Sequence, residues 1–245
     1  IRKFPFNWRE VFKSASNQCY FNVEDINNQL EKVKDKLLEL NRDSEKDELG
    51  RRGWFVKMDN GRVRFVDDSQ GMWYIHELLP EEESNKWDFK YGKQAPSNRQ
   101  YGAGGLDPFA HAKKAGDGGS DASVTIWKRY SSLDPDNSGM PVAFFIGRTK
   151  TKAKFHEQVA NALIYYGVRC LGERAPTDWV DWFTENKLDE YLIETKRKSD
   201  GEKIIGLAPQ DKQAREEHLT LMVESSYSDH SKIWFRRILE DRLHF

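Results

Sequence analysis

Cysteine is scarce in this sequence. Only Cys19 and Cys170 carry a thiol among 245 residues, and they lie far apart. Two distant cysteines provide neither a disulfide framework nor the paired spacing of a structural zinc site, so the chain fits a reducing compartment. The six histidines also lack the spacing of zinc ligands, and zinc chemistry is therefore not expected.

An excess of one charge is also missing, since 39 Lys and Arg residues face 40 Asp and Glu residues. Any contact with nucleic acid would depend on local basic groups rather than on net charge. No apolar run approaches the ~18 residues of a membrane span, and no secretory signal opens the sequence. There is no G-x-x-x-x-G-K-[ST] phosphate loop, so these residues contain no P-loop ATPase. Because the chain starts with Ile1 and stops directly behind a helical pattern, we expect a fragment or an excised domain.

The first hundred residues are predicted to form an α+β extension. An apolar stripe predicts an amphipathic helix over 23–41. The residues of this stripe are Ile26, Leu30, Val33, Leu37 and Leu40. Short strands are expected in 53–79, joined by a turn at 59–61, and a loop is expected in 80–100. We interpret 1–100 as one unit that connects to the rest of the protein.

A different pattern begins near Tyr101 and predicts an α/β domain over 101–245. Strands are predicted at 102–109, 124–130, 142–146, 168–172 and 192–193, and helices at 151–166, around Trp179, and at 210–226 and 231–243. Three strands with short connections can form an antiparallel meander, and a crossover helix lets the fourth strand lie parallel to the first. The sequence therefore predicts a mixed sheet flanked by helices.

Two acidic residues follow strands of this predicted sheet. Asp107 ends the first strand, and Glu173 comes directly after the fourth. Because ligands bind beyond the carboxyl ends of parallel strands, we expect the two carboxylates to meet at one edge of the sheet. The alternative is structural: Asp107 caps a turn before Pro108, and Glu173 pairs with Arg174.

Paired carboxylates at a sheet edge suit metal-dependent chemistry. Two-metal hydrolysis of a phosphodiester bond needs several carboxylates around cations ~3.5–4 Å apart. Oxygen ligands favour Mg²⁺ or Mn²⁺, and Mg²⁺ needs few protein ligands. In this interpretation Asp107 bridges the metals and Glu173 is the second ligand. Asp121, just before the second strand, is the candidate for a third contact or for positioning a water.

Several short motifs occur in a distinctive order. They are Gly-Leu-Asp-Pro at 105–108, Gly-Asp-Gly-Gly-Ser-Asp-Ala-Ser at 116–123, Tyr-Tyr-Gly at 165–167, Leu-Gly-Glu at 171–173, and helical segments at 211–217 and 239–245. Together they resemble the nuclease domain of the large terminase subunit of tailed bacteriophages. The segment 2–12 is similar to the connection between the packaging motor and the nuclease in that family.

The resemblance implies an RNase H-like fold over 101–245 and a viral protein of the host-cell cytoplasm. It implies an endonuclease that uses Mg²⁺ or Mn²⁺ to cut concatemeric double-stranded DNA with low sequence specificity. Asp107 and Glu173 would be metal ligands, and a third acid would follow Phe245, so the nuclease core would be truncated at its C-terminus. By position alone, Asp229 and Asp241 are substitutes for that acid. The implied partners are DNA, an ATPase motor domain absent from this chain, a portal and a small terminase subunit, with no membrane.

Five basic residues are candidates for contacts with DNA. Arg148, Lys150 and Lys152 follow the third predicted strand, and Lys212 and Arg215 lie on a later predicted helix. Lys and Arg contacts to phosphates position a duplex without reading its sequence. The alternative for the first three is an ordinary solvated helix start, and for the last two it is surface salt bridges.

Two other functions stay open. A catalytically incomplete RNase H-like module could serve as a DNA- or protein-docking domain, which the level net charge and the missing third acid favour. A resolvase-type or transposase-type nuclease on the same fold is the other alternative.

Overall fold

The computed structural model describes residues 21–98, 101–109, 121–196, 201–208 and 229–243. The chain forms two compact units. The central unit comprises Gly50–His218, and the terminal unit comprises Ile1–Leu49 together with Leu219–Phe245. The sequence predicted a boundary at residue 100 instead. The units divide differently because strands before residue 100 hydrogen-bond into the same sheet as strands after it.

Seven strands in the described residues of the central unit form one mixed sheet, in the order β2-β1-β3-β8-β7-β6-β9. These strands are β1 (Arg51–Lys57), β2 (Val63–Asp67), β3 (Trp73–Ile75), β6 (Gly102–Asp107), β7 (Ala122–Lys128), β8 (Pro141–Gly147) and β9 (Arg169–Gly172). Neighbouring strands are antiparallel except for β6 and β9, which are parallel. The antiparallel β6-β7-β8 meander with a parallel fourth strand confirms the predicted mixed sheet.

Two helices and two small hairpins complete the described part of the central unit. They are β4 (Trp87–Lys90) with β5 (Lys93–Pro96), α2 (Lys152–Tyr166), α3 (Asp178–Glu185), and β10 (Glu194–Lys196) with β11 (Lys203–Ile205). The predicted loop over 80–100 is wrong where β4 and β5 pair, and the turn between them uses positive φ angles at Tyr91 and Gly92. The predicted strand at Leu192 and Ile193 is a single parallel bridge from Leu192 to Cys170.

Helix α2 connects β8 to β9 and covers one face of the sheet. The Thr151 hydroxyl accepts a hydrogen bond from the Lys154 N–H at 3.2 Å and caps the first turn. Gly167 ends the helix in the left-handed conformation, with φ 65°, as the sequence predicted. Strong signals at both ends explain why the predicted bounds, 151–166, differ little from the observed ones.

Buried aromatic rings and the amide side chain of Gln158 hold α2 against the sheet. Phe55 on β1 packs against Trp73, Tyr165 and Tyr166. Gln158 accepts from the Phe55 N–H at 3.1 Å and donates to its carbonyl at 2.9 Å. This amide supplies the hydrogen bonds that a neighbouring strand would otherwise give, which matters because an unpaired buried backbone group is costly.

The terminal unit contains α1 (Val23–Glu39), a 3-10 turn (His230–Lys232) and α4 (Arg236–Arg242) among its described residues. Four of the five predicted stripe residues of α1 are buried, while Leu40 is exposed. The single helix predicted over 231–243 is wrong, since the 3-10 turn and α4 are separate. The helix predicted over 210–226 lies outside the described residues. None of the helices in the described ranges has the length and apolar character that a membrane span requires.

Candidate active site at the sheet edge

The parallel pairing of β6 and β9 brings Asp107 and Glu173 to adjoining positions. Leu106 is in register with Gly172, and the Glu173 N–H donates to the Leu106 carbonyl at 2.9 Å. One residue further along each strand lie the two acids. Asp107 is exposed and Glu173 is half-buried, so both can be reached by solvent. The expected meeting of the two strand ends at one sheet edge is therefore observed.

Alternation along β6 decides which face of the sheet Asp107 occupies. Gly104 and Leu106 are buried, and a Cβ on Gly104 would lie 3.2 Å from Leu163 of α2. Asp107 and Gly105 belong to the opposite, exposed face. Among the described residues, no atom lies within 4 Å of a Cβ placed on Gly105. Within the described part of the chain, the position next to Asp107 on this face is therefore not covered by packed atoms.

Asp121 lies at the same edge, at the start of β7. The register pairs Asp107 with Ser123, two residues beyond Asp121. The Asp121 carboxylate is 3.7 Å from Nε of Arg148, whose guanidinium also lies over the ring of Phe109, 5.8 Å from its centroid. Because Asp121 interacts with this largely buried guanidinium, the position of its carboxylate suits contact with Arg148 better than direct contact with a metal ion.

The predicted DNA-binding cations differ in how they are held. Lys150 is exposed. Lys152 lies 2.8 Å from Asp178 at the start of α3, and this ion pair joins the first turns of α2 and α3. Arg148 has the Asp121 contact described above. Lys212 and Arg215 lie outside the described residues. The sequence therefore placed three basic groups near one edge, two of which interact with carboxylates.

His156, one turn into α2, is the buried neighbour of that ion pair. Its Nε2 lies 4.0 Å from the Asp178 carboxylate, and its ring packs at an angle against Trp182. Burial lowers the pKa of His156, with Asp178 acting in the opposite direction and Lys152 in the same one. The buried imidazole supports the packing of α2 on α3.

Sequence reasoning missed the two residues that begin α3 as parts of this region. The sequence predicted a helix around Trp179 but no role for Asp178. Trp179 is fully buried, yet its Nε1 donates to the Glu173 carbonyl at 3.0 Å. The available signal was their position, just five and six residues after the second acid and behind Pro176 in a helix start.

The donor set at this edge fits a hard divalent cation. Two carboxylates on rigid, neighbouring strand ends match the few protein ligands that Mg²⁺ requires, with waters completing its octahedron. Within the described ranges, no group of three or more His, Cys, Asp or Glu side chains is arranged to hold a metal ion. Asp107 and Glu173 would be two candidate ligands, fewer than the several carboxylates that a two-metal site uses.

Comparison of this chain with protein-family models, with curated proteins and with solved structures finds no match to any of them.

Proposed function

We propose that this chain is the nuclease part of a viral DNA-packaging terminase, which hydrolyses phosphodiester bonds of concatemeric double-stranded DNA with the aid of Mg²⁺ or Mn²⁺. The observation that carries the proposal is the parallel pairing of β6 with β9, which brings Asp107 and Glu173 together on an open edge. The motif order in the sequence supports the proposed family. The adjoining positions of the two acids support the proposed metal-dependent hydrolysis.

The strand order supports an RNase H-like architecture. Strands β8, β7 and β6 are antiparallel neighbours, β9 follows beside β6 in parallel, and α2 makes the crossover. Beyond β9, Leu192 continues the sheet through its parallel bridge to Cys170. This strand order supports the fold that the motif resemblance implies, and β1 to β3 extend the sheet at the β8 side.

In the proposed reaction the protein binds the metal ions and orients the DNA. The metal ions, when bound, activate water and stabilise the leaving oxygen. Asp107 and Glu173 would hold them with carboxylate oxygens, and the hydrogen-bonded strand ends keep the two residues in place. Arg148 orients Asp121, and Lys150 is available to a DNA phosphate, which positions the duplex without reading its sequence.

The proposed partners follow from the proposed family. Double-stranded DNA is the substrate, and an ATPase motor domain, a portal and a small terminase subunit are the proposed assembly partners, in the cytoplasm of an infected host cell.

Cleavage of plasmid DNA tests the proposal. We expect the protein to nick or linearise supercoiled plasmid in Mn²⁺, and a chelator to abolish the activity. Asp107→Asn removes one charge at almost constant size and should abolish cleavage. The matched control is Asp88→Asn, an exposed acid on β4, which should cut at the wild-type rate. Equal activity of the purified Asp107→Asn variant would refute the proposal.

A docking module without nuclease activity is the second candidate. It is favoured by one observation: in the described part of the chain no group of three or more His, Cys, Asp or Glu side chains could hold a metal ion. DNA binding without cleavage in Mn²⁺, by protein extended beyond Phe245, would establish it. Preferential cutting of branched over linear DNA would instead point to a resolvase-type enzyme.

A further inference from the structure

The indole of Trp179 makes the side-chain hydrogen bond that holds the backbone at Glu173. Its Nε1 donates to the Glu173 carbonyl at 3.0 Å, and the ring is fully buried at the start of α3. A buried indole N–H normally requires an acceptor. Here the acceptor belongs to the residue whose carboxylate is the second candidate metal ligand.

The remaining backbone groups around Glu173 are also committed to neighbouring strands. The Glu173 N–H donates to Leu106, the Gly172 carbonyl accepts from the Leu207 N–H at 2.8 Å, and the Arg174 N–H donates to the Leu207 carbonyl at 2.9 Å. Glu173 and Leu207 thus form a parallel bridge.

Two glycines make room for the indole. A Cβ on Gly172 would lie 2.7 Å from ring atoms Cζ2 and Cη2 of Trp179, and one on Gly206 would lie 3.3 Å from Cζ2. The ring therefore packs directly on the backbone of the two residues, Gly172 and Gly206, that precede the bridged pair. Packing this close, with no side chain between, couples the position of the ring to the end of β9.

We propose that Trp179 is a positioning residue for the metal site, acting through Glu173. The inference rests on the proposed function. A metal ligand binds well when the groups behind it hold it in one orientation, and loss of such a supporting contact typically weakens metal affinity or activity by about 10–100-fold. Trp179 has this relation to Glu173, while it touches neither DNA nor metal itself.

Two replacements of the indole test the inference. Trp179→Phe removes the N–H and part of the ring, whereas benzothienylalanine at position 179 replaces the N–H by sulfur and keeps the shape. The matched control is Trp182→Phe on the same helix, whose half-buried ring packs on His156 and Phe183. Mn²⁺ affinity is measured by electron paramagnetic resonance of the free ion, and cleavage of plasmid is measured against Mn²⁺ concentration.

We expect both replacements at position 179 to raise the Mn²⁺ concentration for half-maximal binding and cleavage about tenfold, and Trp182→Phe to leave it within about twofold. The benzothienyl variant decides the matter if Trp179→Phe fails to fold, because its packing is preserved. Wild-type Mn²⁺ dependence in a folded benzothienyl variant would overturn the inference and leave the nuclease proposal standing. A wild-type protein that binds Mn²⁺ without cutting DNA would instead overturn the nuclease proposal, and the binding data alone would then decide the role of Trp179.

Discussion

The backbone N–H of Glu173 donates to the carbonyl oxygen of Leu106 over 2.9 Å. This single hydrogen bond extends the β6–β9 ladder by one step beyond its last paired residues. It places Glu173, which follows β9, beside Asp107, which ends β6, although the two residues are distant in sequence. Backbone pairing therefore forms the candidate site, because it sets the positions of Asp107 and Glu173.

If Asp107 and Glu173 act as one unit, their losses should not add. We expect Asp107→Asn and Glu173→Gln each to reduce the cleavage rate in Mn²⁺ by about a thousandfold or more, and the double variant to be no slower than the worse single one, because residues that act together are strongly non-additive. Single-turnover plasmid cleavage measures the rates, and circular dichroism checks folding. Losses that multiply in the double variant would show that the two acids act independently.

The basic residues near this edge should contribute unequally to DNA affinity. Lys150 is exposed, while Lys152 is 2.8 Å from Asp178 and would have to leave that ion pair to reach a phosphate. We expect Lys150→Ala to weaken binding and to reduce the slope of log affinity against log salt by about 1. Lys152→Ala should change both the affinity and this slope less.

Fluorescence anisotropy of labelled duplex at several salt concentrations, in an Asp107→Asn background, measures both slopes. Lys90→Ala, at the exposed end of β4, serves as the control for a general loss of charge. A larger effect at Lys152 than at Lys150 would contradict the assignment.

Two glycines with the same backbone conformation should differ in their tolerance of a side chain. Gly167 has φ 65° and Gly201 has φ 73°. A Cβ at Gly167 would meet Asn98 at 2.7 Å and the Lys86 carbonyl at 2.8 Å, whereas one at Gly201 would meet no atom of the described residues within 4 Å. Gly201→Ala should cost about 1 kcal/mol for the left-handed conformation alone. Gly167→Ala should cost about 2 kcal/mol more, because backbone must move.

Urea unfolding of the two alanine variants measures the difference. Equal free energies of unfolding would mean that the end of α2 moves away from Asn98 at little cost.

Glu48 in the terminal unit should make stability depend on pH. Its carboxylate is buried, accepts from the Arg237 N–H at 3.0 Å in the first turn of α4, and lies 3.8 Å from Arg236, which also pairs with Glu240. Burial raises the pKa of Glu48 from its ordinary value of 4.5 to about 7, against the lowering effects of Arg236 and the Arg237 N–H.

Between these two values the folded chain keeps a proton that the unfolded chain has released. The contribution of Glu48 to the free energy of unfolding should therefore be highest below about pH 4.5 and fall by up to about 3 kcal/mol as the pH rises through about 7. Glu48→Gln still accepts from Arg237 and should lose this dependence, whereas the exposed control Glu39→Gln should keep it. Urea unfolding at pH 5 and pH 8 decides, and parallel curves for wild-type protein and Glu48→Gln would contradict the prediction.

Local patterns in the sequence predicted the elements that carry local signals. Helix α2 is bounded by Thr151 and Gly167, which cap its two ends through contacts with residues close in sequence. Strand β8 is a continuous apolar run that is buried over its first five residues. The β4–β5 hairpin was missed because its turn, with Tyr91 and Gly92 at positive φ, has no Asn-Gly or Asp-Gly signature.

Long-range pairings could not be predicted in the same way. The sequence gives no sign that Trp73 on β3 lies opposite Phe145 on β8, so 1–100 was interpreted as a separate unit. The contact of Glu48 with the first turn of α4 is equally hidden, since it joins two ends of the chain. Such partners are chosen by burial and packing of the whole unit.

By itself, the sequence determined the spacing of the two acids and the type of element that each one follows, because strand and crossover signals are local. Only the tertiary structure decided that β6 and β9 are in register, that Gly105 leaves the face beside Asp107 open among the described residues, and that Trp179 reaches the Glu173 carbonyl. Those relations depend on backbone hydrogen bonds and on the space left by Gly172 and Gly206, and both arise when distant segments pack together.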